Sequence, residues 1–516
     1  MRGRTWLNPG RIFIRCRPEA EWNSRTVYNC ACSAEATNQR NDRLAVGKVI
    51  AAGEEIYRHA FLLSILFQVI HCLALPIVVT WDGFLYVDLA DVIGTTRFPN
   101  DWDFLRTPLF PVLLKMAFSL LGKHALAVIG LNTLLGFLGV ICLGHTIRRV
   151  GSPIAGALVI ILLTFYPILI TYQHCLLSDA GNFCCLAILI SLFFWHPRSR
   201  YARTSALILG ITFAYYFRPN LLYLSVVIGF LEGLRIVKAR SHFEKSRRKS
   251  AIVQATMILL IPFVLAMPWK RLSYESRARQ EDILCLGVFA QVVIPPDDEL
   301  IGSAGDKYRE CIRAGLIDGR LPMDGLRGSM QEIALERNRA NNGISLASVF
   351  CKYPIRYLKG GIRTSLLFLG WPASSAENKA FRNFCMKTTR SDAVLLTEPP
   401  QLDPALREEF SQKSDTSIVA RWLQKLDPAY DVLVGLGAIF TIIGSIVGFR
   451  RRDFRMLAFG LIPLGYLGMH VVILLSADRY GFPNYCIFLA NLIAMPIWIW
   501  RPLSNPTTDV SYFVHT

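Results

Sequence analysis

The chain has 516 residues, of which 53% are hydrophobic, and carries 56 Lys and Arg against 38 Asp and Glu for a formal net charge of +18. In a soluble protein that charge would point to nucleic acid, but here the apolar residues gather into stretches of about 18 to 24 nearly uncharged positions, the length that crosses a bilayer as a helix, and the basic residues fall between them. The distribution argues against a soluble nucleic-acid-binding protein, and the lack of a Walker-type loop or a GxGxxG helix opening argues against nucleotide chemistry.

In chain order, residues 1–58 are polar and Arg-containing and read as a cytoplasmic tail. Hydrophobic spans follow near 60–80, 125–146, 153–172, 180–196, 204–217, 220–234, 251–268, 430–449, 456–475 and 483–500. With the N-terminus inside, Arg148 and Arg149, the group Arg198, Arg200 and Arg203, the run from Arg235 to Lys249, and Arg450 to Arg452 with Arg455 all fall in cytoplasmic loops, as retention of Lys and Arg during insertion requires. The stretch Pro108–Leu121 is too short to cross, has Lys115 in its middle and two prolines at its start, and is expected to lie along the interface. The predicted organisation is therefore a tail (1–58), a first transmembrane module (59–268) with an outer loop at 81–124, an outer segment (269–428), C-terminal spans (429–502) and a final tail (503–516). Within the outer segment, Tyr353–Trp371 mixes Arg356, Lys359 and Arg363 with Leu and Phe, the pattern of a surface-lying helix. The thirteen cysteines are scattered without metal-ligand spacing, and Cys72, Cys142, Cys184, Cys185 and Cys486 read as small hydrophobes.

Candidate chemistry sits at the loops this topology places outside. Asp82 follows the first span directly, where a carboxylate is costly to desolvate; it suits either an N-cap for a helix over Phe84–Ile93 or a base. Asp88 lies six residues on, off the helical face of Asp82. Arg106 precedes the interfacial stretch, and a guanidinium there could bind phosphate oxygens in a bidentate fork or anchor to headgroups. Ser178 and Asp179 open a span and could cap it, or bring a second acid to meet the first. Arg218, Lys270 and Arg479 supply a cation at each of the later outer turns, so a ring of positive charge would surround two boundary acids, as an anionic lipid-linked substrate requires.

The order of these motifs resembles the membrane glycosyltransferases of the C-type fold, especially glycosyltransferase family 39, which includes protein O-mannosyltransferases and lipid A aminoarabinose transferases. The resemblance covers about residues 60–500 and rests on Asp82, Tyr86 and Ala90, on Arg106–Pro111, on Ser178 and Asp179, on Arg218 and Pro219, on Pro268–Arg271, and on Arg479, Tyr480 and Pro483. It implies an all-α polytopic membrane protein of ten or so spans, with interfacial helices in the first outer loop and a larger outer helical segment. The activity it implies moves a sugar from a polyprenyl phosphate to a lipid, glycan or protein acceptor on the extracytoplasmic face of a plasma or inner membrane. Asp82 inherits the role of catalytic base, with Asp179 and then Asp88 as further acids. Arg106, Arg479, Arg218 and Lys270 become partners of the donor phosphate, and Tyr86, Tyr480 and His174 substrate contacts. Many members have Glu after the first Asp where this chain has Gly83, so that side chain's role is absent or passes to Asp88. A divalent metal near Asp82 and Asp179 stays open, since no His or Glu completes a site there. A transporter or flippase for lipid-linked saccharides, or a polysaccharide polymerase, would share the topology. A transporter places its ionisable groups near the midplane on repeated halves, whereas here they cluster at one boundary.

Overall fold

The computed structural model describes residues 50–75, 81–98, 102, 106–195, 197, 199–238, 245–272, 350–351, 353–368, 418–472 and 478–500. The chain divides between Glu55 and Ile56, and the described residues before that point, 50–55, are helical. The helices are α1 (Ile50–Ala74), α2 (Trp81–Val92), α3 (Leu109–Leu121), α4 (Ala125–Val150), α5 (Pro153–Thr164), α6 (Pro167–Gln173), α7 (Asp179–Phe193) and α8 (Arg200–Phe217). After a 3-10 turn at Pro219–Tyr223 come α9 (Leu224–Lys238), α10 (Lys245–Leu272), α11 (Pro354–Phe368), α12 (Ile418–Arg451), α13 (Phe454–Val472) and α14 (Asp478–Trp500).

Among the described residues, six helical stretches are long and apolar enough to cross a membrane, in α1, α4, α10, α12, α14 and Pro219–Ile236, and the bent pair α5 and α6 makes a seventh. The shorter or less apolar α7, α8 and α13 stand in the same bundle: α7 packs on α4 and α8, and α13 on α12 and α14. The chain is thus an all-α, multi-pass integral membrane protein. Helix α3 has 13 residues, too few to cross alone.

Helix α12 begins at Ile418, inside the expected outer segment, rather than near 430; two further boundaries differ from the sequence expectation for a local reason. Helix α1 begins at Ile50 and ends at Ala74, so its axis starts inside the polar stretch, where Glu54, Glu55 and Arg58 are compatible with helix. The segment expected as one span over 153–172 is two helices bent by 61°. Pro167 opens α6 without an amide hydrogen, and the Tyr166 amide donates to Leu163 O rather than one residue further back, which strands the Leu162 carbonyl. Tyr430 of α12 supplies the missing donor, its hydroxyl 2.8 Å from Leu162 O, with its ring stacked on Tyr166 at 5.3 Å. A broken helix inside a membrane protein is tolerated where a neighbour satisfies the freed backbone in this way.

Small residues let the helices approach closely, the usual means of packing where burial of apolar surface gives little drive. A Cβ at Gly156 of α5 would lie 2.6 Å from the Gly144 carbonyl oxygen of α4, and Gly437 of α12 rests on the Phe488 backbone of α14. The C-terminal ends of α4, α12 and α14 meet: Arg451 donates to Ile499 O at 2.7 Å, and Gly151 abuts Trp498. Arg148 and Arg149 end α4, and Arg450 and Arg451 end α12. At the C-terminal end of α7, Arg203 donates to Phe193 O at 2.8 Å and pairs with Glu232. Basic residues therefore mark the end of the bundle opposite the start of α7.

Candidate functional site

The site is built around the N-terminal end of α7. The loop before it, Cys175 to Ser178, is wholly buried, and its backbone is held by Asn132 of α4, whose Nδ2 donates to Cys175 O at 2.6 Å. Helix α2 lies against this loop at Gly83, where any Cβ would come within 2.6 Å of Leu176 O. Only glycine fits without displacing backbone, which explains why a Glu is absent at this position. One turn further, Tyr86 reaches Ser178, hydroxyl to hydroxyl at 3.0 Å. Ser178 precedes α7 but makes no side-chain cap; the capping expected of it gives way to this tertiary contact.

Around Tyr86 the remaining pieces converge. Phe110 of α3 meets its ring edge-on at 4.9 Å, and the Arg106 guanidinium stands 5.6 Å from its centroid, within cation–π range. The Arg106 carbonyl accepts from Trp102 Nε1 at 3.1 Å, and Trp102 in turn meets Trp269 at the end of α10 edge-on at 5.9 Å. Thr107 donates to Phe217 O at 2.9 Å, joining the Arg106 segment to the residue before Arg218. The Phe217 ring occupies the space a side chain at Gly181 of α7 would need. Residues from five separate segments thus lie at one end of the bundle.

At the centre, Arg218 Nη1 donates to Asp179 Oδ1 at 2.6 Å, with the Asp179 side chain 1% and that of Arg218 12% exposed. The other Asp179 oxygen, Oδ2, is buried and meets no hydrogen-bond donor among the described residues. One turn along α7, Asn182 donates to the hydroxyl of Tyr466 on α13 at 2.7 Å. Asn220, two residues after Arg218, donates to the same hydroxyl at 3.2 Å. An apolar cavity of about 630 Å³ begins at Pro108 and Leu109, beside Arg106, and runs between α3, α7 and α8 past Val112, Cys185, Phe213 and Tyr216.

Of the residues singled out from sequence, Tyr86, Arg106, Asp179 and Arg218 are brought together. Asp88 shares α2 with Tyr86 but keeps company with Asp91, Lys123 and Arg97; partial burial pushes its carboxyl up from the usual range, Asp91 adds to this, and the two cations oppose it. His174 belongs to a buried polar cluster, its Nε2 2.9 Å from Nδ1 of His71, which also bonds Gln68 at 2.9 Å. Lys270 lies over the Phe263 ring at 5.1 Å, one residue from Trp269. Asp82 falls in the first turn of α2, and Arg479 and Tyr480 in the first turn of α14; their side chains lie outside the described residues. No group of three or more His, Cys, Asp or Glu able to hold a metal ion exists among the described residues.

Sequence reasoning passed over Tyr466, Asn182 and Asn220. Their signal was present, because an amide or phenol within an apolar span is expensive unless it meets a partner, but the partner lies more than 200 positions away along the chain.

No family model matches the chain, and no curated protein does. Two solved structures are similar, both of ArnT from Cupriavidus metallidurans. The one bound to undecaprenyl phosphate is 14% identical with a TM-score of 0.32, covering 85% of this chain and 77% of its own. The apo form is 14% identical with a TM-score of 0.31, covering 88% and 78%.

Proposed function

We propose that this protein is a glycosyltransferase that moves a sugar from a polyprenyl-phosphate donor to an acceptor at the extracytoplasmic face of the membrane. The observation that carries the reading is the linkage of Arg106 to Tyr86, and through Ser178 to the Asp179–Arg218 pair, at the end of the bundle where an apolar cavity of about 630 Å³ begins at Pro108 and Leu109. Such a site matches a ligand with a phosphate at one end and an apolar tail at the other. Guanidinium groups suit the phosphate because their planar fork matches its oxygens, and the apolar groove suits the isoprenoid chain. The basic helix ends at the opposite side of the bundle favour a cytoplasmic position for that end, which supports an extracytoplasmic position for the site.

In this reading the acceptor oxygen attacks the anomeric carbon, the bond from that carbon to the phosphate oxygen breaks, and the polyprenyl phosphate leaves with the electron pair. Arg106 stabilises the charge that develops on the leaving phosphate. Asp82, in the first turn of the helix that carries Tyr86, takes the proton of the acceptor hydroxyl. Asp179 serves the acceptor side.

The test is transfer of radiolabel from a polyprenyl-phosphate sugar by the full-length protein in liposomes, with membrane extract as the source of acceptors. Asp82→Asn abolishes transfer while leaving insertion and abundance intact; a variant as active as wild type removes Asp82 from the mechanism. Arg106→Ala raises the donor concentration needed for half-maximal rate, and an unchanged donor dependence refutes its role.

A further inference from the structure

The Asp179–Arg218 pair has features that a purely structural ion pair lacks. Only one oxygen of Asp179 is bonded to Arg218, and the other is buried without a donor among the described residues. A half-satisfied buried carboxylate is costly, so the geometry is one in which a further donor completes the shell. The partners also differ in reach: Asp179 is sealed at 1% exposure, whereas Arg218, on a long side chain at 12%, borders the space outside.

The elements that carry the pair do not depend on it to stay together. Asn182 stands one turn beyond Asp179 on α7, Asn220 stands two residues beyond Arg218 on the 3-10 turn, and both donate to the Tyr466 hydroxyl, at 2.7 and 3.2 Å. The Phe217 ring, packed where Gly181 lacks a side chain, brings the same backbones together a second time. The ion pair can therefore open by rotation of the arginine side chain alone, with α7 and the 3-10 turn held in place.

We infer that Arg218 is an exchangeable counter-ion, which leaves Asp179 for the phosphate of the bound donor and so frees Asp179 to accept a hydrogen bond from the acceptor. This rests on the proposed polyprenyl-phosphate reaction and adds an order of events: donor first, acceptor second. Without the donor, Arg218 holds Asp179 Oδ1 and leaves the acceptor only the other oxygen, on a carboxylate whose charge is already paired. With it, the same cation neutralises the leaving group, and a bare buried carboxylate remains that only a donor hydrogen bond can satisfy. Asp179 thereby competes with the donor phosphate for Arg218, and removing its charge should strengthen donor binding, the reverse of what loss of a structural partner would do.

The experiment measures binding of a sugar-free polyprenyl monophosphate to the full-length protein in nanodiscs, followed by tryptophan fluorescence. Asp179→Asn should tighten binding by about fivefold, because it releases a cation for the phosphate. The double variant Asp179→Asn with Arg218→Gln, which leaves no buried charge unpaired, should lose that gain and bind about tenfold more weakly than wild type. Asp179→Ser repeats the measurement with a smaller neutral side chain. Weaker or unchanged binding in folded Asp179→Asn and Asp179→Ser overturns the exchange, as does failure of both to fold, since the Tyr466 link would then be insufficient. If wild type itself does not bind the lipid, the functional reading falls and takes the exchange with it; if wild type binds and the variants do not tighten, only the exchange falls.

Discussion

The two ends of α7 each carry an arginine paired with a carboxylate, and the pairs are built differently. At the basic end, both oxygens of Glu232 are engaged: Arg203 contacts each of them, Arg235 adds a charge at 3.6 Å, and Arg203 also holds the Phe193 carbonyl and stands 5.3 Å from the Phe193 ring centroid. At the other end Asp179 uses one oxygen only, and a separate polar link through Tyr466 holds the surrounding backbones. The first pair fastens α7, α8 and α9 together; the second is fastened by its neighbours. A carboxylate with both oxygens engaged fixes structure, while one with an oxygen left open has capacity for a further donor.

The contrast can be broken most directly at the basic end. Arg203→Ala takes from Glu232 the guanidinium that contacts both its oxygens and strips the Phe193 carbonyl of its donor, so stability should fall by about 3 kcal/mol or more, read as a drop in thermal unfolding temperature of the detergent-purified protein. Asp179→Asn should fall by clearly less in the same assay; equal losses would erase the distinction between the pairs. The next largest effect concerns the backbone of the candidate site. Gly83→Ala drives a methyl toward Leu176 O and should cost about 1 to 3 kcal/mol as overpacking, with sugar transfer reduced more than abundance because α2 shifts Asp82 and Tyr86 together. Retained transfer would show that the contact between α2 and the buried loop does not position the chemistry.

Smaller again is Tyr466→Phe, which deprives the Asn182 and Asn220 amides of a common acceptor at a cost of about 1 to 2 kcal/mol. It should sharpen the comparison by making the Asp179–Arg218 pair structurally necessary: Asp179→Asn, mild in wild type, becomes strongly destabilising in the Phe background, and simple additivity would argue against the second link. The smallest effect is at Asp88. Its folded carboxyl titrates above the ordinary range, so its contribution to stability is present at acid pH and is lost as pH rises through that raised value. Asp88→Asn should remove this fall from the stability profile just above the ordinary carboxylate range and leave the neutral-pH unfolding temperature equal or slightly higher. A lowered one would mean the ionised form is held by its cations.

Much of this architecture was readable from the chain. The run of apolar residues through α4 and α12, with Arg148, Arg149, Arg450 and Arg451 closing their C-termini, announced both spans and their basic ends, because hydrocarbon length and charge retention act on local sequence. The short α3 was legible for the same reason. The break between α5 and α6 was only half legible: Pro167 marks a kink, but the Leu162 carbonyl freed beside it needs a donor inside the bundle, and that donor is Tyr430 on a helix far along the chain. At the site, Arg106, Asp179 and Arg218 stood out as charges at span boundaries, while Asn182 and Tyr466 looked like isolated polar interruptions.

The sequence by itself determined that this is a helical membrane protein with its acids and several cations at one set of loops, because the cost of placing charge in hydrocarbon is paid residue by residue. Only the tertiary structure decided which of those charges meet. Asp179 finds Arg218 and Ser178 finds Tyr86, while Asp88 and His174 turn to other partners, since side-chain pairing at 2.6 to 3.0 Å depends on how helices rotate and approach across gaps set by glycines such as Gly83, and no local pattern encodes that rotation.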